Sequence, residues 1–226
     1  MKRDIDIEQV SDGKRYTSND MVRLGCDDCS GDCCRGMGSS ILLDPYDAYR
    51  LMKGLGCSFD ALLVGDTEVS EHPVIGLDLA DGLILPHLQM TGEKESCSFL
   101  NGEGRCGIYE IRPGFCRLFP LGRIYENGAF RYFHQIHECS KGGKTKVKIS
   151  KWLGIPNLKQ YEKFVLDWHD FLKEAEEEAR QKKDADSMKQ LGMGLLYVFY
   201  RKPYDMERDF YEQFYARLAQ VWDGQK

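Results

Sequence analysis

The chain has 226 residues, with 36 acidic against 31 basic side chains and a formal charge of −5. That length buries a full hydrophobic core, as one domain or one domain with an extension, without the disulfide staples of very small secreted proteins. The acidic balance argues against a nucleic-acid module, whose footprint is a basic face.

The opening residues, MKRDIDIEQVSDGKRY, are charged and hold no apolar signal core. No run of eighteen apolar residues follows, so the expectation is a cytoplasmic protein without a membrane span. Thiols stay reduced in that compartment, which favours metal ligation over disulfides for the nine cysteines.

Residues 1 to about 20 show little periodicity and read as a surface arm. Cys26, Cys29, Cys33 and Cys34 come next, in the spacing CxxCxxxCC. Two residues between cysteines make a tight turn that aims both sulfurs one way, toward a metal. The adjacent Cys33 and Cys34 diverge instead. They suit two metal positions, or one ligand and one packing residue, better than a single tetrahedral ion. Gly31, Gly36 and Gly38 give the loop its freedom to wrap.

Ile41-Leu42-Leu43 is a short extended run. Asp44-Pro45 reads as N-cap and first residue of a helix through about Lys53, stopped by Gly54 and Gly56. Ser58 caps a second helix that ends near Gly65. From Glu68 to Phe133 the pattern is short strands. Leu83-Ile84-Leu85 and His87 to Met90 flank Pro86, which suits an edge or a bend. Leu121 to Tyr125 and Ala129 to Phe133 flank Asn127-Gly128, a hairpin signal.

Beyond residue 150 the pattern is helical. Leu158, Tyr161, Phe164, Val165, Trp168, Phe171, Leu172 and Ala175 line one face of a long helix. Asp184 or Asp186 caps another, and a final helix carries Phe210, Phe214, Leu218, Val221 and Trp222. These aromatic stripes sit at core spacing. The expected fold is α+β: a small cysteine-rich metal-binding core with short strands and a β-hairpin, plus a C-terminal helical extension. The divisions are an arm over 1–20, a cysteine domain over 21–145 and the extension over 146–226.

The second cysteine group is Cys97, then the string CGIYEIRPGFCRLFP with Cys106 and Cys116, and Cys139 closes it within His137-Glu138-Cys139. The second CxxC of a zinc ribbon is missing, and so is the CxxCxxCxxxCP run of ferredoxins. The ligands therefore come from separate loops that the fold must gather. Such a split, loop-borne set suits a bulky multi-iron cluster somewhat better than one small ion. Cys57 lies outside both groups and reads as a small buried hydrophobe.

With its CxxCxxxCC, CSFL, CxIYxxRPxxCRxFP and late HEC, the chain resembles the YkgJ-like cysteine-cluster family over about residues 20 to 140. The resemblance implies metal binding, zinc or iron–sulfur, through Cys26, Cys29, Cys33, Cys34, Cys97, Cys106, Cys116 and Cys139. A relative in that family, the flagellin lysine N-methylase, carries a similar pattern and is thought to use a 4Fe–4S cluster. The resemblance does not extend to the helices after residue 150.

Four thiolates around Zn²⁺ or an oxidised 4Fe–4S cluster leave about two net negative charges, which burial makes costly unless cations and N–H donors answer them. Arg112 and Arg117 bracket Cys116, and Arg35 follows Cys34. They read either as that compensation or as surface ion pairs. Tyr109 reads as core filling, and His72, His87 and His169 as isolated surface or core residues. His134 and His137 near Cys139 are a minor alternative as ligands. Lys141 to Lys151 holds five lysines, a solvated loop and strand or a docking patch for an acidic partner. No glycine-rich nucleotide fingerprint occurs. Three functions compete: a metal-binding protein meeting a partner through its helical extension, a metal-dependent protein-modifying enzyme, and a structural zinc protein or metal chaperone without catalysis.

Overall fold

The computed structural model describes residues 7–25, 31–68, 70–80, 82–136, 138–139, 145–182 and 184–223. In chain order its elements are α1 (Ile7–Val10), β1 (Met21–Leu24), α2 (Pro45–Leu55), α3 (Phe59–Val64), β2 (Ile75–Ala80), β3 (Leu83–Leu88), β4 (Met90–Thr91), β5 (Ser96–Cys97), α4 (Gly114–Leu118), β6 (Leu121–Glu126), β7 (Ala129–His134), β8 (Thr145–Lys148), α5 (Ile149–Leu153), α6 (Leu158–Gln181), α7 (Ala185–Leu196) and α8 (Phe210–Asp223). The strands pair antiparallel as β1–β8, β2–β3, β4–β5 and β6–β7. The class is α+β.

Local hydrogen bonding explains most helix starts. Asp44 and Asp47 form a reciprocal capping box on α2: Asp47 N–H donates to Asp44 Oδ1 at 2.8 Å, and Asp44 N–H to Asp47 Oδ2 at 3.3 Å. Ser58 accepts from Ala61 N–H at 3.1 Å, and Asp184 from Ser187 N–H at 2.8 Å. Gly54, expected to help stop α2, lies inside it. Its bare Cα admits Ile111, whose Cδ1 would sit 2.5 Å from any added Cβ. Gly56 alone closes the helix.

Pro86 does not break β3, because it takes part without its missing donor. Leu77 faces it across β2, while its carbonyl points the other way and accepts from Leu43 N–H at 2.9 Å. Pro86 has no N–H to return to Leu43. The Leu43 carbonyl is satisfied instead by the buried Tyr200 hydroxyl at 2.9 Å. The β6–β7 hairpin turns on Asn127 and Gly128, with φ of 52° and 68°, as a two-residue primed turn requires.

The segment read as a surface arm is paired from Val10 to Tyr16. Tyr16 and Tyr132 exchange backbone hydrogen bonds of 2.7 and 2.9 Å, and Ile136 N–H donates to Val10 O at 2.8 Å. One apolar core then runs through the whole chain, from Val22 to Leu218. Packed against it, the half-buried Tyr46 of α2 meets Tyr161 of α6 and Phe210 and Tyr211 of α8, with ring centroids 5.0 to 5.7 Å apart. Trp168 packs on Phe199 at 5.0 Å. The helical stripes are packing surface, as their spacing implies.

Candidate metal centre

Four chain segments bring thiols to one place. A single 3₁₀ turn, Asp32–Cys34, presents Cys33 and Cys34 after Gly31. Gly31 has φ of 76°, and a Cβ there would lie 2.8 Å from the Gly104 carbonyl. Only glycine lets the first cysteine loop approach the loop that leads into Cys106 so closely. Cys97 stands on β5 opposite Met90. Cys106 follows a tight reversal in which Gly107 N–H donates to Phe99 O at 2.8 Å. Cys116 occupies the middle of α4.

Cys33, Cys34, Cys97, Cys106 and Cys116 together line a cavity of about 330 Å³, with Arg112 and the apolar side chains of Met37, Ile41, Leu88, Ile108 and Phe119 in its walls. Among the described residues no group of three His, Cys, Asp or Glu side chains is arranged to hold a single metal ion. The sulfurs surround a space rather than converge on a point.

Burial pushes the thiols of Cys97, Cys106 and Cys116 up from their ordinary value. For Cys33 the hydrogen bond with Cys34 is the larger cause, and burial adds to it. A wall of thiolates is therefore unfavourable here without a positive charge among them. Arg112 supplies part of one, because its guanidinium favours the charged forms of Cys33 and Cys106. It lies over the Tyr109 ring at 4.1 Å, and its buried Nε–H has no hydrogen-bond partner among the described residues. Tyr109, expected in the core, is 49% exposed and serves as the platform under Arg112.

Arg117 and Arg35 are placed differently. Arg117 is only 7% exposed and does not line the cavity. It donates to the carbonyls of Glu110, of Arg112 at 3.0 Å and of Leu153 at 3.3 Å, and so ties the Cys116 segment to the end of α5. Arg35 also stays out of the lining and bridges the backbone of Ser96.

Of the other cysteines, Cys57 sits half-buried at the α2–α3 junction, away from the cavity. Cys139 is half-buried and outside the lining. Cys26 and Cys29 lie outside the described residues, as do His137, Asp81, Lys141 and Lys144. His134 ends β7 and does not line the cavity. His87 is buried with Nδ1 2.9 Å from Leu88 O. His169 stacks on Tyr125 at 3.6 Å with a buried Nε2 that has no partner among the described residues. Lys146 and Lys148 stand on β8 and Lys151 on α5.

Three contributors carried no sequence signal as site residues. Arg105 and Gln135 line the cavity, and Phe115, 48% exposed, stands at it beside Cys116. Each needed the fold to bring it there.

The model of the CxxCxxCC family, described as "Putative zinc- or iron-chelating domain", matches residues 25–140. The chain belongs to this family. The matched stretch contains both cysteine groups and every thiol of the cavity. Membership makes it a metal-binding protein of the zinc- or iron-chelating kind. Searches of curated proteins and of solved structures return no match. Among the described residues no helix is long and apolar enough to cross a membrane.

Proposed function

We propose that this CxxCxxCC protein holds an iron–sulfur cluster of the 4Fe–4S type in the thiol-lined cavity. One observation carries the reading: five thiols from four segments surround a common space of about 330 Å³, and no three of them are arranged for one ion. A zinc site needs four ligand atoms within about 2.0 to 2.3 Å of one centre. A cubane spreads its ligand positions over a larger body and accepts thiolates from separated loops.

Cys33, Cys97, Cys106 and Cys116 are the ligands this geometry supports best. Cys34 stands next to them, and Cys26, Cys29 and Cys139 complete the set expected from the sequence. A bound cluster supplies one-electron transfer or a Lewis-acidic iron, with a potential set by charge, hydrogen bonds and exposure. The chain does the rest. Arg112 brings a cation to the anionic sulfurs. The apolar walls limit water, and Arg117 locks the segment that presents Cys116.

The test is metal and sulfide content with the absorption spectrum of protein purified without oxygen. The expected result is brown protein with iron and acid-labile sulfide and a broad band near roughly 400 nm, from sulfur-to-iron charge transfer. Colourless protein with stoichiometric zinc rules the cluster out and leaves a zinc site.

A further inference from the structure

Cys116 is the one cavity thiol carried on an α-helix, and that helix is five residues long. So short a helix does not hold itself together. Its first residue, Gly114, is buried, and the Gly114 N–H donates to Asp47 Oδ1 at 2.7 Å. The other oxygen of the same carboxylate accepts from Asp44 N–H in the capping box of α2. One side chain therefore joins the starts of two helices that lie 67 residues apart in sequence.

Tyr161 of α6 also packs against Gly114. A Cβ on Gly114 would fall 2.2 Å from the Tyr161 hydroxyl, so the ring tip rests on the bare glycine backbone. Arg123 of β6, half-buried, donates to that hydroxyl at 3.3 Å and holds it in place. Neither Asp47, Tyr161 nor Arg123 lines the cavity. What they fix is the entry and direction of the helix that aims the Cys116 sulfur.

We propose that Asp47 and Tyr161 are positioning residues for the Cys116 ligand, so that α2 and α6 set the geometry of the metal site from outside it. The proposal rests on the reading of the cavity as the metal site. It gives the helices after residue 150 a part in metal binding that the family match, which ends at residue 140, does not contain.

The experiment compares the wild type, Asp47→Ala, Asp47→Asn, Tyr161→Phe and Leu218→Ala, all purified without oxygen. Leu218 is a core residue of α8 outside the cavity lining, and its truncation controls for general loss of stability. Metal per chain, the rate of metal release to a chelator and the visible spectrum of the bound centre are read beside the melting temperature. Residues that orient ligands change metal affinity by about 10- to 100-fold when removed. Asp47→Ala is expected to release metal roughly tenfold faster with an altered spectrum. Asp47→Asn keeps an acceptor for Gly114 N–H and is expected to restore the wild-type spectrum. Leu218→Ala is expected to melt earlier with an unaltered spectrum. If Asp47→Ala does not fold, Tyr161→Phe carries the test in the same direction. Release rates that track melting temperature across all variants, with one common spectrum, overturn the proposal. Wild type without metal, or metal unaffected by Cys116→Ser, overturns instead the assignment of the cavity and this proposal with it.

Discussion

Cys57 and Cys116 are both half-buried thiols that burial pushes up from their ordinary value. Their company differs. Cys57 is surrounded by the helix junction and shifts through burial alone. Cys116 also feels Cys97, Cys106 and Cys33, the other walls of the cavity. Replacing Cys57 by Ala is expected to leave metal per chain unchanged and to cost less than about 1 kcal/mol. Replacing Cys116 by Ala removes a proposed ligand, and metal content is expected to fall sharply. Metal analysis of the two variants side by side decides it, and equal loss in both would make Cys57 a ligand. Arginines divide by the same rule. Arg112 lines the cavity with the sulfurs, whereas Arg117 donates to three carbonyls outside it and acts as a clamp. Residue identity and spacing placed both beside Cys116. Only the direction of each side chain assigned their tasks.

At the scale of elements, β3 and α7 meet through a substitution of partners. Pro86 leaves the Leu43 carbonyl without a strand donor, and Tyr200, in the wider π turn Tyr197–Arg201 that follows α7, answers it. Tyr200 is 2% exposed, so water does not replace the bond easily. Tyr200→Phe keeps the ring and removes the hydroxyl. It is expected to destabilise the protein by about 1 to 2 kcal/mol, the penalty for one buried acceptor left unpaired. Thermal or denaturant unfolding measures it, and an unchanged stability would mean that the carbonyl finds another donor. The elements themselves were largely readable beforehand. Asp44-Pro45, Ser58, Asp184 and Asn127-Gly128 act on backbone groups within three residues, so their effect is local. Gly54 misled because its role is set by Ile111, far away in sequence.

For the whole molecule, the elements on either side of residue 145 pack on one another. β1 pairs with β8 across it, Ile149 N–H donates to Asp20 O at 3.0 Å, and Tyr46 stacks into the α6 and α8 aromatics. Metal held as proposed, between loops of one half, would therefore contribute to the folding free energy of the whole. Removing it with a chelator is expected to lower the melting temperature in a single transition. Near-UV and far-UV dichroism should then lose their signals together. Early loss of near-UV signal with the helices intact would show two independent units, and an unchanged melting temperature would show that metal is not part of the fold.

By itself the sequence determined the family and the ends of most elements, and it set the expectation of thiol ligands. Each of these rests on residue type at short spacing: thiols for a metal, a carboxylate or hydroxyl before a helix, an Asn-Gly between strands. Tertiary structure decided which thiols share a space, because Cys33, Cys97, Cys106 and Cys116 meet only after four separate segments fold back on one another. It decided too that Tyr109 leaves the core to carry Arg112, and that Asp47 reaches Gly114 as well as its own helix. Cavity walls and cross-chain hydrogen bonds depend on which surfaces of an amphipathic chain come to face one another, and that is settled by the packing of the whole core.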